Sequence, residues 1–329
     1  MENPFKDQII IDGLQYCNWN RELFEDLING GITAVHVTLV YWENTEESFK
    51  KFEEWDRYFD DYEDLIYHAK NSEDILYAKS KKKLAILFGF QNSAPIANDI
   101  FLVEKFFFKG LRFMQLTYNN QTALGGGCFE KNDSGLSRFG CSVVEEMNRL
   151  GMIVDLSHSG KRTSIDAIEF SSKPVAFTHA NPIFFHDSIR NVDNEVLKKL
   201  ANKDGFIGLS LYPLHLNNYS ECKIEDFCNM IIKLSNMIGI DHIGIGSDLC
   251  KNWNDDVVMW MRNGKWTKKI DYGESKDKSS SWPKQPAWFT KGSDIINIYH
   301  GLQKAGMKDE KIMKIMGINW MEFIKNSFG

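Results

Sequence analysis

The chain has 329 residues, of which 43% are hydrophobic and 26% charged, which is the composition of a folded globular protein rather than a disordered one. Its formal net charge of −6 gives no basic surface, which argues against nucleic acid and anionic membranes as partners. The six cysteines form no C-x-x-C pair, and we expect them to be reduced thiols. Because the sequence shows no signal peptide and no apolar run long enough to span a membrane, we expect a cytoplasmic protein.

Eight apolar runs of strand length recur along the chain, with helical patterns between most of them. These runs are 8–14, 34–40, 84–90, 113–118, 152–158, 175–179, 206–212 and 242–247. Their continuous hydrophobicity is typical of strands covered on both faces, as in a parallel sheet. The spacing of apolar residues predicts helices over 139–150, 193–203 and 224–238. Ser137 and Gly151 are placed to cap the first of these helices.

Strand–helix alternation repeated eight times predicts one (β/α)8 TIM barrel domain over residues 1–329. An open, doubly wound sheet is the main alternative, but no glycine-rich dinucleotide turn follows the first predicted strand. Two excursions, at about 43–82 and 249–290, interrupt the regular spacing, and we expect the first to be helical. The second contains five of the nine tryptophans, at 253, 260, 266, 282 and 288. They form either a lid at the rim or only the packing of the excursion on the barrel.

The barrel also predicts where a site should lie, because chemistry in this fold is found at the carboxyl ends of the strands. Those ends carry Gln15, Tyr16, Glu43, Gln91, Tyr118, His158, His179, Tyr212 and Asp248. His158 and His179 follow adjacent strands, which lie roughly 4.8 Å apart in a sheet, so that both imidazoles can bind one metal ion. Asp248 follows the last strand, and a carboxylate together with imidazoles suits Zn²⁺ or a similar ion. Each residue alone is more often structural, but their joint position at one rim favours a site.

The remaining histidines carry weaker signals. His36 lies within a predicted strand and His68 within a predicted helix, and we expect both to be structural. His186, His242 and His300 are not assigned a role, nor is His215, although it is placed to border the pocket.

Several motifs spread over most of the chain occur together. They are IDG at 11–13, GLSRFG at 135–140, VVEEMNRLGMIVDLSHSG at 143–160, PVAFTHANP at 174–182, RNVDNEVL at 190–197, IGIGSD at 243–248 and GINWMEF at 317–323. This set resembles the membrane (renal) dipeptidase family, which consists of (β/α)8 metallohydrolases with a two-zinc centre that cleave dipeptides. The resemblance implies that His158 and His179 hold one zinc ion, and that Asp248 ligates the other and helps to manage the proton of the catalytic water. It also implies that Arg190 binds the substrate carboxylate and that the protein is a homodimer.

The chain departs from that family at three metal ligands and at one substrate contact. The family's His-x-Asp after the first strand is replaced by Leu14-Gln15-Tyr16. Its bridging glutamate aligns with Gln91, which is neutral. A family histidine that contacts the substrate aligns with Tyr118.

These losses predict a reduced site with one zinc ion rather than two, because two dications about 3.5 Å apart need anionic ligands. We expect this ion on His158, His179 and Gln91, with Asp248 as the general base. The predicted substrate contacts are Arg190, Tyr118, Tyr212 and Gln15. Glu43, Cys17 and Cys250 are candidate substitute ligands, although a buried structural thiol is the commoner role for a cysteine.

Three functions are compatible with this sequence. The first is metal-dependent hydrolysis of a dipeptide or small amide with a free carboxylate. The second is a diverged barrel that binds a small carboxylate-bearing metabolite, or acts as a structural partner, without peptidase activity. The third is another metal-assisted hydrolytic or lyase reaction on a small nitrogen-containing metabolite, for which the tryptophans would offer a cation–π box.

Overall fold

The structure is a computed structural model that describes residues 4–5, 7–265 and 281–328. Its strands are β1 (Ile11–Cys17), β2 (Ala34–Val40), β3 (Ile66–His68), β4 (Leu84–Phe90), β5 (Leu111–Gln115), β6 (Ile153–Asp155), β7 (Ala176–Ala180), β8 (Phe206–Leu209), β9 (Ile243–Ile245) and β10 (Leu249–Lys251). Leaving out β3 and β10, neighbouring strands pair in parallel around a ring, and β9 pairs back with β1 through Ile245 and Asp12. The predicted (β/α)8 barrel is confirmed.

Two short strands extend this ring at opposite ends. β3 pairs with the first residues of β4. β10 follows β9 in the chain and pairs with the last residues of β1. The residues on the inner side of the ring and those under the helices are buried, which explains why the strands are apolar along their whole length.

The helices of the described residues are α1 (Arg21–Asn29), α2 (Thr45–Asp61), α3 (Ser72–Ser80), α4 (Phe101–Phe108), α5 (Arg138–Leu150), α6 (Lys161–Phe170), α7 (Asn194–Ala201), α8 (Ile224–Ile238), α9 (Asp255–Asn263), α10 (Ile296–Lys304), α11 (Asp309–Met313) and α12 (Asn319–Phe328). The predicted helix over 224–238 coincides with α8. Ser137 caps α5 by accepting from Gly140 N, and Gly151 ends it at a φ of +83°. None of these helices combines the length and the apolarity that a membrane crossing requires.

The excursion at 43–82 differs from the expectation of a helical insertion. It contains α2 and α3, but β3 lies between them because Ile66, Tyr67 and His68 pair with β4. The prediction that His68 lies in a helix is therefore wrong. In the second excursion, β10 and α9 precede residues 266–280, so Trp266 lies outside the described residues.

Trp320 of α12 closes the amino-terminal end of the barrel. Its indole Nε1 donates to Ile245 O at 2.8 Å, and its side chain is fully buried. Gly13 and Gly244 make room for the ring, since a Cβ at either position would lie 2.4 Å or 2.7 Å from it. With this end filled by Trp320, the carboxyl end of the strands is the face where a site is expected.

Candidate functional site

The two predicted metal ligands meet at the carboxyl end of the barrel. His158 follows β6, and His179 lies within the adjacent strand β7. Their Nε2 atoms face each other 3.0 Å apart, and the residues are only 4% and 0% exposed. The position of both rings agrees with the prediction that two adjacent strands bring them together.

The hydrogen bonds on the far side of each ring fix which nitrogen carries hydrogen. His158 Nδ1 lies 2.6 Å from Asn119 Oδ1, an acceptor. His179 Nδ1 lies 2.9 Å from Thr178 Oγ1, whose own hydrogen is donated to Asp155 Oδ2 at 2.5 Å. Both Nδ1 atoms are therefore donors, and both Nε2 atoms hold lone pairs. Two lone pairs directed at each other at 3.0 Å repel unless a cation lies between them.

Asp155 anchors this arrangement from inside the barrel. Its carboxylate accepts hydrogen bonds from the hydroxyls of Ser157 and Thr178 and from the Gln115 amide. Burial raises its pKa, an effect that these hydrogen bonds oppose. A carboxylate behind a histidine is the usual support of a metal ligand, and here Thr178 lies between the two.

The environment keeps the histidines neutral. Burial lowers the pKa of His158, and the positive charge of Arg190 lowers it further. The same two causes, in the same order, lower the pKa of His179. Arg190 is itself buried, and its Nη1 donates to the carbonyl of Ser157. Neutral imidazole is the form that binds metal, so the pair is ready to act as ligands at neutral pH.

A small cavity at the barrel mouth gathers most of the predicted site residues. It is lined by Tyr41, Gln91, Tyr118, His158, Tyr212, His215, Asp248, Cys250 and Met261. Its volume is about 10 Å³, which is room for a single water molecule. Arg190, the predicted carboxylate anchor, does not line this cavity; together with Ser157 it borders a larger cavity of about 390 Å³ between the loops that follow β6 and β7.

Gln91 offers an oxygen to the mouth cavity. Its Nε2 donates to Thr38 Oγ1 at 2.8 Å and to Tyr41 OH at 2.9 Å. Both amide hydrogens are thereby used, which leaves the carboxamide oxygen as the acceptor atom of a side chain that lines the cavity.

Asp248 is held in a strained backbone conformation at the mouth. Its φ is +56°, in the left-handed region, and its N–H donates to Leu14 O at 2.9 Å. Such conformations are costly and tend to occur at functional sites.

Of the other candidates, Cys250 lines this cavity, whereas Gln15, Glu43 and Cys17 lie outside it. Gln15 Nε2 donates to the buried Asp12 at 2.8 Å, so Gln15 faces the barrel interior. Glu43 accepts from the N–H groups of Tyr41 and Trp42 at the end of β2, and burial raises its pKa. The Cys17 and Cys250 thiols donate to backbone carbonyls. Within the part of the chain that the structure describes, no three His, Cys, Asp or Glu side chains come together as a metal-binding group.

Aromatic side chains cover the mouth. We call Tyr16, Tyr41, Tyr118, Met261, Trp42, Trp253, Trp260 and Trp282 the aromatic cap, because they pack into one cluster above the strands. Trp42 Nε1 donates to Met261 O at 2.8 Å, and Arg262 Nη2 donates to Tyr212 OH at 3.1 Å. Helix α9 is thereby fastened over the cavity. Trp288 lies elsewhere and packs on Phe227 of α8.

Four residues that touch these groups were not assigned from the sequence. Asn119, Asp155 and Thr178 support the two imidazoles, and His215 lines the mouth cavity. The expected position of His215 at the border of the pocket is confirmed, and Asp155 and Thr178 also carry a signal, since a polar residue inside an otherwise apolar strand is unusual.

Comparisons with known proteins agree with this geometry. Residues 18–255 match the family model described as membrane dipeptidase (Peptidase family M19). Dipeptidase tcpJ of Claviceps purpurea is 30% identical over 289 residues, which are 87% of this chain and 61% of that protein. Dipeptidase aclJ of Aspergillus oryzae is 28% identical over 215 residues, which are 64% of this chain and 51% of that protein. The chain thus spans only about half to three-fifths of the length of these curated relatives.

Solved structures share the fold. An amidohydrolase from Pseudomonas aeruginosa is 34% identical with a TM-score of 0.92, over 99% of this chain and 98% of that one. A metallo peptidase from Rhodobacter sphaeroides, liganded with a phosphinate mimic of the dipeptide L-Ala-D-Ala, is 15% identical with a TM-score of 0.79. The match covers 98% of this chain and 100% of that one, and it is a likeness of fold alone.

Proposed function

Because the chain belongs to the membrane dipeptidase family (Peptidase family M19), we propose that it is a metal-dependent hydrolase of a dipeptide or another small amide with a free carboxylate. The observation that carries this proposal is the buried pair of imidazoles, whose Nε2 lone pairs converge 3.0 Å apart. The names of the curated relatives, both dipeptidases, support the substrate class.

In this proposal His158 and His179 would hold one divalent ion, zinc in the first place, through their Nε2 atoms. Two nitrogens on a tetrahedral zinc ion lie about 3.3 Å apart, close to the separation of these atoms. When bound, the ion supplies a Lewis acid and a coordinated water whose pKa is near 7. The residues do not fit the second ion of the family, since the apolar Leu14, the buried Tyr16 and the neutral Gln91 occupy its ligand positions.

The other residues of the mouth bind and orient. Asp248 accepts the proton of the attacking water, and the Gln91 oxygen, at the end of β4, would hold the ion or orient that water. Arg190 presents a planar fork to the substrate carboxylate, and Tyr118 and Tyr212 form walls of the cavity. A cavity of about 10 Å³ does not hold a dipeptide, so α9 and the aromatic cap must move before substrate binds.

The metal content of the purified protein tests this proposal. We expect about one equivalent of zinc by elemental analysis, and hydrolysis of dipeptides such as L-Ala-D-Ala that a chelator stops. His158→Ala should lower zinc content and reduce kcat/KM by more than about 100-fold, since even outer-shell partners of a metal cost 10–100-fold.

The exposed His300 provides the matched control, so His300→Ala should keep both properties. A His158→Ala protein that hydrolyses as fast as the parent would contradict the proposal, and so would two equivalents of zinc.

A second candidate is a barrel that binds a small carboxylate-bearing metabolite without hydrolysis. It is favoured because, among the described residues, no three His, Cys, Asp or Glu side chains are grouped closely enough to hold a metal ion. This candidate predicts a purified protein with little metal that still binds small carboxylates, and a loss of that binding in Arg190→Ala. A full equivalent of zinc would eliminate it.

A further inference from the structure

A third buried histidine, His215, lies at the barrel mouth and is not used in the mechanism above. It lines the same cavity as His158, Gln91 and Asp248 and is only 1% exposed. Its Nε2 is buried and has no hydrogen-bond partner among the described residues. A buried polar nitrogen without a partner is rare in folded proteins, and at the edge of a cavity it points to a ligand.

The partner of the other ring nitrogen shows which atom carries the hydrogen. His215 Nδ1 lies 2.8 Å from the hydroxyl of Ser210, which already accepts the N–H of Tyr212 at 3.1 Å. Ser210 is fully buried, and His215 Nδ1 is the acceptor that its hydroxyl hydrogen reaches. The serine therefore donates to Nδ1, which leaves the hydrogen of the neutral ring on Nε2.

The backbone holds this donor in place. The carbonyl oxygen of His215 accepts from Asn181 Nδ2 at 3.2 Å and from Asn191 Nδ2 at 3.1 Å. Both asparagines are buried, and Asn181 also donates to Ser210 O at 2.9 Å. A polar group fixed by its surroundings stabilises developing charge without having to reorganise.

We propose that His215 Nε2–H donates a hydrogen bond to the carbonyl oxygen of the scissile amide and to the oxyanion that this oxygen becomes. The identity of that group rests on the proposed function. Tyr118, at the position where the family has its substrate-contacting histidine, lines the same cavity. His215 thus supplies from the loop after β8 the imidazole donor that is missing after β5.

The test combines hydrolysis of L-Ala-D-Ala with binding of its phosphinate mimic. His215→Phe keeps a ring of similar shape but removes the donor. We expect it to lower kcat by about 10²–10³-fold, the usual loss for one oxyanion donor, with a smaller change in KM. Its affinity for the phosphinate should fall by about 100-fold. His215→Gln, which retains an N–H donor, should recover part of both.

Two further measurements separate this role from a structural one. In ¹⁵N NMR spectra the parent should show hydrogen on Nε2 of His215, and Ser210→Ala should shift the Nδ1 resonance, because its hydrogen-bond donor is lost, and lower kcat. His68→Phe is the matched control, since His68 has a partly buried ring with an unpartnered Nε2 in the short strand β3. It should leave kcat and phosphinate binding unchanged.

The outcomes are distinguishable. Hydrolysis that is as fast in His215→Phe as in the parent overturns the role of His215 and leaves the proposed function standing. Phosphinate binding that depends on His215, without hydrolysis by the parent, overturns the proposed function alone. A parent that neither hydrolyses the dipeptide nor binds the phosphinate overturns both.

Discussion

At the scale of single residues, the atoms behind the two imidazoles decide what those imidazoles can bind. Asn119 and Thr178 each take a hydrogen from Nδ1, so the chemistry of the pair is concentrated at Nε2. The two rings come from adjacent strands, but their supports come from the loop after β5 and from β6 and β7. The orientation of the two rings thus requires at least three segments to be in register.

Removing one support should weaken metal binding without removing a ligand. Thr178→Val preserves volume but deletes the hydroxyl between His179 and Asp155. We expect zinc affinity, measured by competition with a chelating dye, to fall by about 10–100-fold. Thr33→Val deletes another buried hydroxyl, one that accepts from Ile10 N, and should leave zinc affinity unchanged. Equal zinc affinities in Thr178→Val and the parent would show that the hydrogen bonds from His179 through Thr178 to Asp155 do not support His179 as a ligand.

At the scale of elements, α9 decides whether the site is open. The helix carries Met261 and Arg262, which are hydrogen-bonded to Trp42 and Tyr212 on two different sides of the mouth. With the aromatic cap in place, the rings pack on one another: Tyr16 stacks on Trp253 with centroids 4.9 Å apart. These contacts are compatible with both interpretations of Trp253, Trp260 and Trp282, a lid and the packing of the excursion on the barrel.

Weakening one of the hydrogen bonds that hold α9 over the mouth should make the helix open to solvent more often. Trp42→Phe keeps an aromatic ring but deletes the hydrogen bond to Met261 O, which is worth about 1 kcal/mol, or about fivefold in an opening equilibrium. We expect the amide hydrogens of α9 to exchange about fivefold faster while those of α5 and α8 keep their rates. Trp55→Phe changes an indole of α2 outside the aromatic cap and serves as the control. Unchanged exchange in α9 would show that this bond does not hold the helix.

At the scale of the whole molecule, the plugged amino-terminal end depends on glycines in two strands that meet at closure. Gly244→Ala would place a Cβ 2.7 Å from the Trp320 ring. We expect a loss of about 1–3 kcal/mol in the free energy of unfolding measured with urea, the usual cost of overpacking a core. In the double variant with Trp320→Phe, the cost of the added methyl should shrink, because the smaller ring leaves space. Strictly additive costs would contradict this contact.

Buried histidines should make the whole molecule sensitive to acid. Burial lowers the pKa of His36 and of His68 to about 3, and it lowers those of His158, His179 and His215 as well. Below the unfolded value of about 6.5, the unfolded chain then binds more protons than the folded one, so stability falls as the pH falls. Each such histidine contributes up to about 1.4 kcal/mol per pH unit.

Urea unfolding of the metal-free protein between pH 6.5 and pH 5 measures this dependence. We expect a falling midpoint, and a shallower fall in His36→Gln. A midpoint that does not change over this interval would contradict the neutral state of the buried rings.

The sequence by itself determined the barrel, most strand positions and the meeting of His158 with His179. Local patterns suffice for these features, because apolar runs of strand length reveal the strands of the barrel and adjacent parallel strands have their carboxyl ends side by side. The extent of the single domain, the homodimer and the cytoplasmic location stay predictions.

Only the tertiary structure decided that His68 lies in a strand, that Gln15 faces Asp12 and that the mouth is closed. It also assigned Asn119, Asp155 and Ser210 to the histidines. Each of these depends on which distant segment supplies the neighbouring atom: Ile66–His68 is a strand because β4 offers it an edge, and His215 is a donor because Ser210 is buried beside it. Contacts between segments far apart in the chain leave no periodic signal in either one, so packing alone reveals them.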